Sequence, residues 1–231
     1  MYIYIYIDQY AKSCHDKFQS DPRNISNNYE IDPDGPYGAN VPFTVYCNGI
    51  SPSQTVATHN HTLQQTLTPI AKNVGPGKVI MRLAYRATTN NINQRGNAIS
   101  ISQLSALTSV SDRCNQDLSF SCRRALLLNS PGQPYIWWTS QDGRRMTNWA
   151  GAPSNTSKCA CGVSKSCYNT TKSCNCDAFA DVLLVDQGAL SDKRYLPIKE
   201  LHLGFSQITN STFAGYNIGN LVCSGPGILH D

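Results

Sequence analysis

The stretch KCACGVSKSCYNTTKSCNCD, Lys158 to Asp177, holds five of the ten cysteines in this chain, and how they are used decides the kind of fold. Their spacing is Cys159-x-Cys161, then Cys167, then Cys174-x-Cys176. Structural zinc sites favour pairs with about two to four intervening residues, which let both sulfurs converge on one tetrahedral ion. With a single intervening residue, an extended chain sends both side chains along one face and the backbone does not wrap an ion. No histidine lies nearby in sequence. A dithiol redox site would need C-x-x-C beside a βαβ pattern, and neither is present. The stretch reads as a disulfide loop.

Composition agrees. A chain of 231 residues can bury about two-thirds or more of its unfolded surface, so ten cysteines exceed what the core needs. That even count points to an oxidising compartment. The charged fraction is 15% and the net charge +4, with no basic run beyond the pairs Arg123-Arg124, Arg144-Arg145 and Lys193-Arg194. Nucleic acid and membrane surfaces are therefore not expected as partners. No apolar run approaches the roughly 18 residues of a membrane span, so no direct insertion by this segment is expected. The start, MYIYIYIDQYAKSC, alternates Tyr and Ile and lacks the basic and apolar regions of a secretory signal. The expectation is a piece of a larger extracellular protein, or a wrongly assigned start, with residues 1–13 as an extension that is either native or artefactual. Sequons at Asn24, Asn60, Asn155, Asn169 and Asn210 support secretion, and Asn169 inside the cysteine stretch requires exposure there.

Along the chain, Asp32-Pro33-Asp34-Gly35-Pro36 is a turn signal between short strands at Tyr29–Ile31 and Pro42–Tyr46. Such a hairpin lets Cys14 meet Cys47. Strands are expected around Thr55–His59 and Val79–Tyr85, and a helix over Ile99–Cys114, where Ile101, Leu104, Leu107 and Val110 recur at helical spacing behind a capping Ser100 or Ser102. The apolar run Arg123–Asn129 suits a buried strand, followed by Tyr135–Thr139, Ala180–Val185, Leu196–Gly204 and Ile218–Cys223. One mixed α+β domain is expected, with short antiparallel strands and few helices. A bridge from Cys122 to Cys223 would tie the central strand to the last. The six other cysteines, Cys114, Cys159, Cys161, Cys167, Cys174 and Cys176, then allow fifteen pairings.

Other constellations are weak. His59-Asn60-His61 could present two imidazoles on one strand face, but no third ligand is apparent and Asn60 is a sequon. Asp32 and Asp34 lack the further acidic ligands of a calcium loop. Gly75-Pro76-Gly77-Lys78 lacks the full phosphate-loop pattern, and no nucleophile elbow occurs. Trp137 and Trp138 are kept as candidate binding residues, although aromatic residues beside strands more often fill cores. No catalytic group, cofactor or metal is expected.

Several stretches together resemble one family. Ile31-Asp32-Pro33-Asp34-Gly35 followed by Val45-Tyr46-Cys47 looks like the entry to a fibrinogen-like domain, as does the helix ending at Cys114 with Ser121-Cys122 soon after. LLNSPGQPYIWWTSQDGRRMTNWAGA, KCACGVSKSC, SCNCDAFADV and LPIKELHLG closely resemble the fibrinogen-like module of contactin-associated proteins, the Caspr or neurexin IV family. The likeness spans about Cys14 to Gly225. It implies a fibrinogen C-terminal-like fold over 14–225, a short tail over 226–231, and a non-catalytic adhesion module of a larger cell-surface protein. The location implied is the extracellular side of the plasma membrane, or secretion, with an extracellular or cell-surface protein as partner. The alternative it raises is a secreted lectin with a glycan pocket near Trp137, Trp138 and the cysteine loop. The acidic calcium run of such lectins is absent, since Asn169, Thr170, Thr171 and Lys172 stand before Cys174.

Overall fold

A computed structural model of the chain describes residues 10–21, 23, 25–49, 54–59, 65–66, 75–86, 98–129, 132–205, 209 and 211–225. In chain order the elements begin with helix α1 (Cys14–Ser20), β1 (Asn27–Ile31), β2 (Phe43–Cys47), β3 (Gln54–His59), β4 (Gln65–Thr66) and β5 (Val79–Arg82). Next come β6 (Tyr85–Arg86), β7 (Ala98–Ile99), α2 (Ile101–Val110), β8 (Arg113–Arg123), β9 (Trp137–Thr139) and β10 (Arg145–Met146). The last are α3 (Ala160–Ser164), a 3-10 turn at Cys176–Ala178, β11 (Leu184–Leu190), β12 (Glu200–Leu203) and β13 (Phe213–Ser224). The architecture is α+β, with antiparallel strand pairing throughout the named ladders, few helices and five disulfides.

Two compact units result: one of Met1–Thr58, Tyr85–Cys114 and Val222–Asp231, the other of His59–Ala84 and Asn115–Leu221. In the first, β1 and β2 form the expected hairpin, running from Asn27 opposite Cys47 to Ile31 opposite Phe43. The turn between them is held by Asp34, whose carboxylate accepts the backbone and side-chain N–H groups of Asn40 at 3.1 and 2.9 Å. Both Asp32 and Asp34 are thus turn residues. Cys14 opens α1 and is bonded to Cys47, and its N–H donates to Thr55 Oγ1 on β3 at 3.1 Å. Helix α2 starts at a reciprocal capping box between Ser100 and Gln103. It is shorter than its periodicity suggests. The buried side chains are Gln103, Leu104, Leu107 and Thr108, because Gln103 Nε2 turns inward to donate to the Val41 carbonyl at 2.9 Å.

The second unit holds two sheets. One has the order β13-β8-β11, with β4 on β13. The other has the order β10-β9-β12-β5. Strand β8 alternates strictly: Cys114, Gln116, Leu118, Phe120 and Cys122 are buried between less buried neighbours. A glutamine fits this inner row because Gln116 Nε2 donates to the Gly219 carbonyl and its Oε1 accepts the Ile198 N–H, each at 3.0 Å.

Two expectations are overturned here. The apolar run Arg123–Asn129 is not a strand: β8 ends at Arg123, and the following residues are irregular yet buried at Ala125, Leu127 and Leu128. Their backbone N–H groups find a carboxylate instead of a neighbouring strand. Cys223 joins Cys114, not Cys122. Strands β8 and β13 run antiparallel, with Asp112 N–H on the Ser224 carbonyl and Asp117 packed against Gly219, so the start of β8 meets the end of β13. Cys122 lies eight residues further on, roughly 26 Å along the strand. It pairs with Cys176.

Candidate interaction surface

The cysteine stretch is a cover for a sheet edge. Strand β11 ends the β13-β8-β11 order, and an uncovered edge offers unpaired backbone groups to any other chain. Disulfides Cys159–Cys174 and Cys161–Cys167 close the stretch on itself, and Cys122–Cys176 ties it to β8. Gly162 permits the tight closure, since a Cβ there would collide with the Ser173 carbonyl. Asn175 then bridges loop and strand: its Oδ1 accepts the Tyr168 N–H at 2.8 Å, and its Nδ2 donates to the Val185 carbonyl on β11 at 2.9 Å.

Two buried carboxylates complete the attachment. Asp177 Oδ1 accepts the backbone N–H groups of Leu127, Leu128 and Asn129 at 3.1, 2.9 and 2.8 Å. Asp186, on β11, accepts the Asn175 N–H on Oδ1 and the Cys176 N–H on Oδ2, both at 2.9 Å. Burial pushes the Asp186 carboxyl up to about 6, against the opposing pull of these two N–H groups and with Asp177 adding repulsion. The folded chain therefore holds a proton at Asp186 between about pH 4 and 6 that the unfolded chain, with an ordinary carboxyl, has lost. Stability from this group is present in full below pH 4, declines as pH rises through 6, and is flat above. A shift of that size is worth about 3 kcal/mol. Urea unfolding of native protein and Asp186→Asn will accordingly differ by up to about 3 kcal/mol more in the native protein's favour at pH 4 than at pH 7.

Cys159, Cys174 and Asp186 come close enough to share an ion. The two sulfurs are bonded to each other, so no thiolate is available there. All ten cysteines are paired.

Large apolar side chains are exposed on the loop and on the segment that leads from it into β11. Tyr168 and Leu183 are 62% and 63% exposed, and Val163, Phe179, Val182 and Val185 are exposed as well. The Asn175 bridge brings the backbone of Tyr168 near that of Val185 on β11, and Val182 and Leu183 lead into that strand.

The two tryptophans lie on opposite faces of β9. Trp138 is buried, with its indole N–H donating to the Asn148 carbonyl at 2.8 Å. Trp137 lies on the other face of β9, stacked on His202 of β12 at 5.1 Å, with the Arg145 guanidinium of β10 3.9 Å from its ring centre. His202 in turn bonds Glu200, and Glu200 pairs with Arg82 of β5, so one ladder crosses four strands. A cavity of about 210 Å³ is lined by Trp138, Asn148, Leu190, Asp192 and Tyr195 among others. Asp192 is held down at about 2 by its hydrogen bonds from Arg194, and it also accepts from Ser154. Asn155 and Asn169 are exposed, whereas Asn24, Asn60, Asn210 and His61, and the side chain of His59, lie outside the described residues. Nothing in the periodicity pointed to Asp177 and Asp186; a carboxylate beside a cysteine and another inside a strand were the available signals.

No family model matches the chain. Over 213 residues, 90% of its length, it is 32% identical to Neurexin-4 of Drosophila melanogaster. It spans 15% of that relative's length. The relationship and the five disulfides together indicate an extracellular or cell-surface location. No helix among the described residues is long and apolar enough to cross a membrane. The cysteine framework that carries the resemblance sits inside this aligned span, and the similarity supports a Caspr/neurexin IV-like module.

Proposed function

We propose that the chain is a non-catalytic protein-interaction module through which a larger cell-surface protein holds an extracellular or cell-surface partner, in the service of cell adhesion. The observation that carries this is the exposure of the apolar side chains of Tyr168, on the disulfide loop, and of Val182, Leu183 and Val185, on the segment that leads from it into β11. Exposed apolar clusters on rigid supports are the usual sign of a protein contact. The similarity to a Neurexin-4 supports the same reading. In this reading residues 14–225 form a fibrinogen C-terminal-like module, 1–13 an extension and 226–231 a tail, located outside the plasma membrane or secreted. Asn24, Asn60, Asn155, Asn169 and Asn210 carry glycans, and neither cofactor nor metal is required.

The test is binding of the multimerised 231-residue chain to panels of intact cells. Saturable binding that protease treatment of the cells abolishes and glycosidase treatment spares is expected. Binding abolished by glycosidase alone would replace this reading with a lectin. Binding to no cell type would sink it.

A further inference from the structure

We infer that the face of β8 opposite its buried row seats an arginine side chain of a partner polypeptide. This contact chemistry rests on the reading of the chain as a protein-binding module. A cavity of about 410 Å³ lies on that face, lined by Asp117, Ser119, Gln187 and Asn217 together with Leu118 and Gly188. Asp117 and Ser119 stand two residues apart on β8, between its buried positions, so both belong to its outer face. Gln187 of β11 is directly opposite Ser119 in the ladder. Asn217 belongs to β13, which flanks β8 on its other side. With neighbouring strands about 4.8 Å apart, the polar groups of three strands share a patch roughly 10 Å across.

Polar side chains that crowd together ordinarily bond one another or the backbone. These do not. Among the described residues, the side chains of Asp117, Ser119, Gln187 and Asn217 make no hydrogen bond and no ion pair, and Asn217 Oδ1 is buried without a donor. No internal bond holds either amide, so both can turn an oxygen to a ligand at no loss. Asp117 is the one charged residue of the lining, and no cation offsets it. Gly219 keeps that carboxylate uncrowded, since a Cβ there would stand 3.0 Å from the Asp117 Cβ. The lining has no aromatic ring on which a sugar could stack, and Leu118 turns its side chain into the core. What fits is a cation with several donors. A guanidinium presents its N–H groups as a planar fork that reaches acceptors on adjacent strands, whereas an ammonium is a point charge that meets fewer of them. A second copy of the chain is a poor source of that group, because its Arg23, Arg82, Arg124, Arg144 and Arg194 already hold acids. A partner of complementary charge is the better one.

The probes are N-acetyl-argininamide, its uncharged isostere N-acetyl-citrullinamide and N-acetyl-lysinamide, titrated into the 231-residue chain. The arginine probe is expected to shift the amide resonances of Asp117, Ser119, Gln187 and Asn217 at millimolar concentration, and to weaken as salt rises. The citrulline probe should bind at least about tenfold more weakly, and the lysine probe about threefold. Asp117→Asn, at an exposed position, should cost the arginine probe about tenfold in affinity with an unchanged circular dichroism spectrum. Gln187→Ala, exposed on another strand, should weaken it as well while leaving its salt dependence in place. In the cell assay Asp117→Asn should bind more weakly than the native chain. Cells bound equally by the two would overturn this inference and leave the module reading standing. It is also overturned by a citrulline probe that binds as well as the arginine probe, by shifts confined to other residues, by no shift at tens of millimolar, or by self-association that Asp117→Asn abolishes.

Discussion

Replacing Cys114 and Cys223 together by alanine will lower the unfolding free energy by about 5 kcal/mol, the largest loss among the five bridges. The reason is chain entropy in the unfolded state, which grows with the logarithm of the closed loop. This bridge spans 109 residues, against 54 for Cys122–Cys176, 33 for Cys14–Cys47, 15 for Cys159–Cys174 and 6 for Cys161–Cys167. The smallest ring is worth only about 2 kcal/mol on the same scale. Domains of this size have roughly 5 to 15 kcal/mol in total, so the Cys114/Cys223 variant will be partly unfolded at body temperature while the Cys161/Cys167 variant stays folded. Urea unfolding of both double variants, with secretion yield as a second readout, checks the order. Equal losses from the two would show that loop length does not govern the effect.

Asp177→Ala will cost about 4 kcal/mol through a different route. One carboxylate oxygen satisfies three consecutive backbone N–H groups, at Leu127, Leu128 and Asn129. These residues have no strand partner to replace it, because Tyr135 and Ile136 bond to the Leu127 carbonyl and not to these donors. Alanine leaves the donors buried and unpaired beside two core leucines, each orphan costing roughly 1 to 3 kcal/mol. Asp177→Asn keeps an acceptor oxygen and should lose about half as much. Chemical denaturation separates the two variants. Hydrogen exchange at Leu127, Leu128 and Asn129 should rise first in the alanine variant, and protection unchanged there would contradict the assigned role.

The legible parts of the fold were local. The turn at Asp32–Gly35 announced the β1–β2 hairpin, since Pro and Gly fix that geometry within five residues. Helix α2 was visible because Ser100 caps it and apolar residues recur behind the cap. Strand β8, whose inner and outer positions alternate strictly, escaped notice. Its inner positions include a glutamine that looks polar until the Gly219 carbonyl and Ile198 N–H are placed around it. The run after Arg123 misled for the opposite reason. Continuous apolar residues indicate burial, and burial says nothing of which group accepts the backbone N–H.

By itself, the sequence determined that Lys158–Asp177 is a disulfide loop and that the chain resembles the Caspr type. Ligand spacing and residue content are one-dimensional facts, so both could be read along the chain. Only the tertiary structure decided which cysteine each strand end meets, because that depends on antiparallel register over a hundred residues. Only it showed that the loop covers the edge of β11 through Asn175 and Asp186, and that Tyr168, Leu183 and Val185 stand exposed beside that edge. Exposure is a property of how distant segments pack, and no window of residues contains it.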